Sequence, residues 1–310
     1  MYTIMKKQNN IKKIFILLMC AILSVGVFGC RNASSTSMSS ETSNSPDTTS
    51  TLSTSNVSGE NGNLGIFKVI CLNAGKADAI ILRTQNSTVL IDTGEDDEGS
   101  EIVSYLKQQN IDSIDYLIIT HFDQDHVGGA DTVLKKLTVK NVIQSDCPKV
   151  NDDYSQYIEI LEKKKIIPVT LRETMKFTLD SVEYTIYPPQ ETTYAVKDSN
   201  NSSLVTSVVH GENSFLFTGD AENARIQEMI AQGNLAHTFL KVPYHGFYQT
   251  SLPDLFSLVA AKYAVITSSD KLTEDPSTVN LLESMGTKVY LTRKGEITVT
   301  SDGKNMIVTQ

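Results

Sequence analysis

The chain has 310 residues, 40% of them hydrophobic, and a formal net charge of −9. That length holds one large or two ordinary domains with a sizeable core, and the acidity argues against non-specific electrostatic capture of nucleic acid. Its four cysteines fall in no CxxC spacing, so cysteine is not the expected metal ligand.

Met1 to Lys13 carries Lys6, Lys7, Lys12 and Lys13 without an acid, and Ile14 to Gly29 is an almost unbroken apolar run. That run is short for a membrane span and has the shape of a signal-peptide core. It ends in Val27-Phe28-Gly29-Cys30, which is similar to a bacterial lipobox, where the cysteine is acylated and becomes the mature N-terminus. The pattern predicts a signal peptide over 1–29 and an acyl chain on Cys30. It places the domain at the cell membrane, lipid-anchored on the extracytoplasmic face; an uncleaved N-terminal anchor is the alternative. Membrane lipid is then one partner, and no protein partner is indicated. Residues 30–64 are rich in Ser, Thr and Asn with almost no large apolar side chain, which predicts a disordered linker because too little surface is buried to offset ordering entropy.

From Gly65 to Gln310 the texture is that of a folded domain. Strand patterns run over Phe67–Leu72, Ala79–Leu82, Thr88–Ile91, Tyr116–Ile119 and Lys140–Gln144, with helical spacing at Glu101–Gln109 and Asp131–Leu137. Further strands are expected at Lys176–Leu179, Tyr184–Tyr187, Ser203–Val209, Ser214–Thr218, Phe239–Val242, Tyr263–Ile266 and Lys288–Leu291, with a helix at Glu222–Ile230. Two successive mixed halves predict a layered α/β protein of two packed sheets with helices outside. Cys71 lies in an apolar strand and reads as a buried free thiol.

Thr120-His121-Phe122-Asp123-Gln124-Asp125-His126 is the most informative stretch. Four imidazole and carboxylate groups fall within six residues at the end of a buried strand, the donor types that suit zinc, manganese or iron. Gly128 and Gly129 follow, allowing a tight turn beside such a site. The other histidines have weaker claims: His210 reads as a solvent-facing turn residue before Gly211, and His237 as structural. Lys241 reads equally as a group steering an anion or as a solvated edge residue.

This stretch resembles the H-x-[HD]-x-D-H signature of the metallo-β-lactamase superfamily. Ile91-Asp92-Thr93-Gly94, Phe217-Thr218-Gly219-Asp220 and Lys241-Val242-Pro243-Tyr244-His245-Gly246 resemble that family's remaining motifs in the same order. The resemblance implies a four-layer αββα sandwich over 65–310. Within the superfamily the chain is more similar to the ComEC-like branch, the nuclease-like domain of competence proteins. Asp123 replaces the second signature histidine, Leu72 to Ala79 resembles a D-V-G-Q-G-D-A stretch with departures at Asn73, Lys76 and Ala77, and Asn201 to Val205 resembles an N-x-x-S-L-V element.

The resemblance implies two divalent ions, manganese or zinc. His121 and Asp123 would hold the first, Asp125, His126 and His245 the second, and Asp220 would bridge them. Asp92, Asn201 and Ser203 would support the ligands, while Lys241 and Tyr244 would face substrate and Asp125 and Asp220 would serve catalysis. The implied reaction is hydrolysis of a phosphodiester, in extracellular nucleic acid or the cell envelope, by a water acidified between the metals. The alternatives are hydrolysis of a carboxylic ester or lactone, and a non-catalytic binding lipoprotein with a degenerate site.

Overall fold

A computed structural model describes residues 64–194 and 196–310. The expected signal peptide, Cys30 and the linker up to residue 63 lie outside the described residues.

Period-two alternation builds the layers. In β1 (Phe67–Cys71), Phe67, Val69 and Cys71 enter one apolar cluster and Ile70 another. Strand β3 (Thr88–Ile91) divides Val89 and Ile91 from Leu90 in the same way, and β4 (Ser113–Ile119) divides Ile118 from Leu117 and Ile119. Successive side chains of a strand point to opposite faces, so both faces of this sheet are covered. Each fully buried Phe, Val or Leu contributes roughly 1.5–3 kcal/mol.

The first sheet is completed by β2 (Ile80–Arg83), β5 (Thr138–Ser145), β6 (Val169–Leu171), β14 (Ile297–Ser301) and β15 (Met306–Thr309). Its order is β15-β14-β1-β2-β3-β4-β5-β6. The second sheet contains β7 (Met175–Leu179), β8 (Val182–Tyr187), β9 (Val205–His210), β10 (Asn213–Phe217), β11 (Phe239–Lys241), β12 (Tyr263–Ile266) and β13 (Lys288–Leu291), in the order β13-β12-β11-β10-β9-β8-β7.

Helix α1 (Glu98–Gln108), the single turn α2 (Gln124–Val127), α3 (Ala130–Lys136) and α4 (Asp152–Lys164) belong to the first half. Ile102, Leu106, Val133 and Tyr157 from these helices pack with Ile81, Leu90 and Leu117. Helices α5 (Asn223–Gln232), α6 (Leu252–Val259) and α7 (Pro276–Ser284) cover the second sheet, where Ile226, Phe256 and Leu282 meet Leu216, Leu240 and Ala264. Between the sheets, Phe67, Val69 and Ile118 pack with Tyr184, Phe215, Phe217 and Phe239. Three apolar clusters separate four layers, which is the expected αββα sandwich. Among the described residues no helix is long and apolar enough to cross a membrane.

Strands β3 to β6 are parallel, as are β10 to β13. Ligands in open α/β sheets gather beyond the carboxyl ends of such strands. Those ends carry Asp92 and the His121–His126 stretch in one sheet, and Asp220, His245 and Thr267 in the other.

Candidate metal centre

The first sheet supplies half of the donors. Asp92 follows β3 with φ 56°, an uncommon conformation for a residue with a Cβ. Its buried carboxylate accepts hydrogen bonds from the Thr120 amide (2.7 Å), Thr120 Oγ1 (2.6 Å) and His126 Nδ1 (2.8 Å). A carboxylate on one imidazole nitrogen fixes ring orientation and leaves the other to point onward. The turn α2 then presents Asp125 and His126 one after the other. His121 Nδ1 lies 3.1 Å from Thr120 Oγ1 and 3.4 Å from Ser203 Oγ, so its Nε2 is likewise the outward end.

The second sheet supplies the rest. Gly219 has φ 53°, and a Cβ there would lie 2.9 Å from the Ser203 side chain. Only glycine lets the chain pass this close to Ser203, whose Oγ accepts from the Asp220 amide at 3.1 Å. Beyond β11, Tyr244 (φ 49°), His245 (φ 50°) and Gly246 (φ 77°) form three consecutive left-handed residues. Each non-glycine residue held there costs about 1–3 kcal/mol, strain that clusters at functional sites. The result aims His245: Nδ1 is 2.9 Å from Thr267 Oγ1, and Nε2 is 2.9 Å from Asp220 Oδ2 and 3.3 Å from Asp125 Oδ2. His126 Nε2 approaches the same Asp220 Oδ2 to 3.3 Å.

Asp125, His126, Asp220 and His245 each offer a donor atom, all within 4.8 Å of one another. The Nε2 atoms of His121, His126 and His245 are buried and make no hydrogen bond. Buried imidazole nitrogens that face carboxylate oxygens without an aligned hydrogen bond are the mixed N/O donor set that divalent cations take. The residues present fit the ions. A second buried cluster, Asp78, Asp92 and His126, shares His126 with the first, so the chain carries two Asp/His clusters positioned to coordinate divalent ions.

Burial opposes charge throughout, yet at His126, His245 and Asp220 opposite neighbours outweigh it. Asp220 and Asp92 hold the His126 pKa well above its usual value, and Asp220 and Asp125 raise that of His245. Facing them, His245, His126 and Lys241 hold Asp220 well below the carboxylate range. Burial and the charge of His126 push His121 down to about 4. Asp92 goes the other way: burial raises its pKa despite His126.

Asp123 sits apart from the four-residue cluster. Lys149 Nζ is 2.6 Å from its Oδ1, Ser199 Oγ donates to it at 2.9 Å, and His121 Nε2 is 3.9 Å away.

A model of the metallo-β-lactamase superfamily matches residues 72–268. This chain belongs to the metallo-β-lactamase superfamily. With these clusters in that fold, it is a metal-dependent hydrolase. The chain is similar to ComE operon protein 3 of Bacillus subtilis, 26% identical over 223 residues, covering 65% of this chain and 28% of that one. Recombination protein 2 of Haemophilus influenzae is 27% identical over 207 residues, covering 65% and 24%. The chain therefore spans about a quarter of the length of these relatives. Among solved structures, the CmlA β-hydroxylase E377D mutant shares the fold with a TM-score of 0.50 at 14% identity, over 75% of this chain and 53% of that one.

Within this superfamily site, several residues stand elsewhere than the sequence placed them. Lys241 is neither a substrate-facing group nor a solvated edge residue. Strand β11 is internal to its sheet, and alternation turns Lys241 inward, fully buried, with Nζ 2.5 Å from Asp78 Oδ2 and 3.4 Å from Asp220 Oδ1. His210 is also buried rather than solvent-facing. The hairpin after it exists, but β14 and β15 come over it, and His210 Nδ1 lies 2.8 Å from Ser301 Oγ. Asn201 gives its amide oxygen to the Arg225 amide (3.0 Å), tying the preceding 3-10 segment to α5. His237 is structural as expected, held by Ser207 Oγ at 2.7 Å and the Leu235 carbonyl at 2.9 Å, and Cys71 is a buried free thiol.

Sequence reasoning gave no role to Asp78, Lys76, Lys149 or Ser199. Asp78 is a buried hub: it pairs with Lys241, accepts from Thr267 Oγ1 at 2.7 Å, and its amide donates to the Asp125 carbonyl at 3.1 Å. It thereby links the residues that aim Asp220, His245 and Asp125. Lys76 donates to Asp125 Oδ2 at 2.7 Å. The Leu72–Ala79 resemblance held the one available signal for Asp78 and Lys76.

Proposed function

We propose that this hydrolase is a phosphodiesterase, acting on extracellular nucleic acid or a phosphodiester of the cell envelope. The observation that carries the reading is the convergence of the buried His126 and His245 Nε2 atoms on Asp220 and Asp125, with His121 Nε2 buried beside them and facing Asp123. The names of two relatives, a recombination protein and a competence protein of Neisseria gonorrhoeae, support a nucleic-acid phosphodiester. The rim supports an anionic substrate, because its ammonium groups, Lys76 and Lys149, come from opposite loops.

In this reading His121 and Asp123 would hold one ion, Asp125, His126 and His245 would hold the other, and Asp220 would serve both. Such ions, manganese or zinc by donor type, supply Lewis acidity and lower the pKa of water. The chain's own residues do the rest. Asp92 and Thr267 fix two imidazoles so that only Nε2 faces the reaction, and Lys241 occupies one oxygen of Asp220 so that the other faces inward. Asp125, whose carboxyl is kept ionised by His245 and His126 against the effect of burial, accepts a hydrogen bond from the attacking water and orients it. Lys76 and Lys149 receive the anionic oxygens. Tyr244 retains its phenolic proton, its pKa raised by burial and by Glu222, and offers a donor to the ester. Acylated Cys30 would hold the enzyme at the outer face of the cell membrane; a labelled fatty acid incorporated by the full chain and lost in Cys30→Ser tests that placement.

The test of activity is hydrolysis of a labelled single-stranded oligonucleotide with added Mn²⁺ or Zn²⁺, beside a chelator control and Asp220→Ala. Cleavage that needs both metal and Asp220 is expected. Metal bound with no cleavage of nucleic acid or of simple phosphodiesters overturns the reading.

A further inference from the structure

Resting on the phosphodiester reading, we propose that the cavity behind Lys149 is a subsite for the organic arm of the substrate, a single ring-bearing group of nucleoside size esterified to the phosphate. The cavity encloses about 320 Å³ and is walled by Cys147, Pro148, Val150 and Tyr194, with Thr192, Thr193 and Ser202 around it. That volume is at the low end for ligand pockets, which run from roughly 300 to 1,000 Å³, so it admits one such group and not a strand.

Its inner wall is shared with the metal centre. Lys149 and Ser199 both line the cavity. The Lys149 ammonium lies 2.6 Å from Asp123 Oδ1, and the Ser199 hydroxyl donates to the same carboxylate at 2.9 Å. An ester whose phosphate reaches the site beside Asp123 therefore has its arm beside Lys149. Among the described residues lining the cavity, Lys149 is the only charged one, so its ammonium matches an anionic head at this wall. Beyond it the walls are a proline ring, an aliphatic side chain, a thiol and a phenol. Such a lining favours a flat apolar body, and the sulfur adds a favourable contact with an aromatic ring.

The cavity is held in register with the centre. Asn151 Nδ2 donates to the Phe122 carbonyl at 2.8 Å while Asn151 Oδ1 caps α4 through the Tyr154 amide at 2.7 Å. This fixes the 146–151 loop to the backbone between His121 and Asp123. On the far side, Ser145 Oγ donates to the Ser202 carbonyl at 2.7 Å, Cys147 Sγ to the Thr192 carbonyl at 3.2 Å, and Tyr194 Oη to Glu228 at 2.9 Å. A pocket tied on both sides is preorganised, so binding a ring there costs little ordering.

The experiment uses the full chain loaded with Mn²⁺ and two probes, inorganic phosphate and thymidine 5′-monophosphate. Affinities are read by calorimetry, and alkylation of Cys147 by N-ethylmaleimide is followed by peptide mass spectrometry. The nucleotide is expected to bind at least about ten-fold more tightly than phosphate and to slow Cys147 alkylation about five-fold, whereas phosphate leaves that rate unchanged. Thr193→Trp, at an exposed position on the cavity wall, is expected to bring the nucleotide's affinity down to that of phosphate without changing phosphate binding. Equal affinities in the wild type, or tight nucleotide binding with Cys147 still reactive, overturn the subsite and leave the phosphodiester reading standing. If phosphate itself does not bind, the phosphodiester reading falls and the subsite with it.

Discussion

Two acidic clusters in this protein behave in opposite ways. Around the metal centre Asp125 and Asp220 alternate with His126, His245, Lys76 and Lys241, and both carboxyls are held below the usual range despite burial. At the start of α1, Glu95, Asp97 and Glu98 also bring three carboxylates within 4.8 Å. There burial and the neighbouring Asp97 push Glu98 up to about 7. The difference is composition. Carboxylates interleaved with imidazoles and ammoniums are stabilised as anions and kept in fixed directions, while carboxylates facing one another share protons. Crowded acidity marks a place where protons gather; alternating donors mark a place where a cation of higher charge is retained.

The largest effect that would break this contrast is expected at Asp220. Asp220→Ala should lower hydrolysis by about three orders of magnitude, since both His126 and His245 lose the oxygen they share. Calorimetry should show fewer ions bound, and chelator should lower the melting temperature of the wild type but not of the variant. Retained metal stoichiometry would remove Asp220 from the ligand set. Next comes Asp78→Ala, which removes the nearer of the two carboxylates that pair with the buried Lys241 ammonium. Removing one partner of a buried ion pair typically costs about 3–5 kcal/mol, to be read by urea denaturation. Asp78→Ala with Lys241→Met should recover much of that loss, and no recovery would show that Asp78 acts through Thr267 instead.

A smaller effect is expected at Asp123, whose carboxylate is part-exposed and shared with Lys149 and Ser199. Asp123→Asn should weaken the affinity of one ion by about 10-fold to 100-fold and leave the other unchanged, as measured by metal titration. The smallest belongs to the second cluster. The folded pKa of Glu98, about 7, lies above its ordinary 4.5, so the folded state binds more protons between those values. The stabilisation is complete below pH 4.5 and is lost as pH rises through 7. Glu98→Gln should match the wild type near pH 4 and exceed it by about 1 kcal/mol at pH 8, a figure reduced for the side chain's partial exposure. Thermal melts at the two pH values check it, and an equal gain at both would refute the proton-sharing account.

The two regions also differ in how far the sequence reveals them. The stretch from His121 to His126 was legible because four donors are contiguous and follow the buried run of β4. The layered fold was legible from strands such as β3 and β10, whose patterns are local. Lys149 and Ser199 left no such trace: they reach Asp123 across 26 and 76 residues of sequence, from loops without a recognisable motif. The burial of Lys241 was hidden for a different reason. A lysine in a strand is ordinarily solvated, and only the register of β11 between two partners shows which way it points. Helix α4 was missed because its buried face is reduced to Tyr157, Ile160 and Leu161 within a highly charged segment. Strand β14 was missed because its Thr and Ser residues dilute the apolar signal.

The donors lie at strand ends of both sheets, with His121 to His126 in the first half of the chain and Asp220 and His245 in the second. A nascent N-terminal half thus has only a weak, open set of ligands, and the last donor arrives with β11. The choice of metal is therefore postponed until the sandwich has closed. Because donors from both sheets must meet to hold an ion, its release becomes a sensitive report that the two sheets have begun to part.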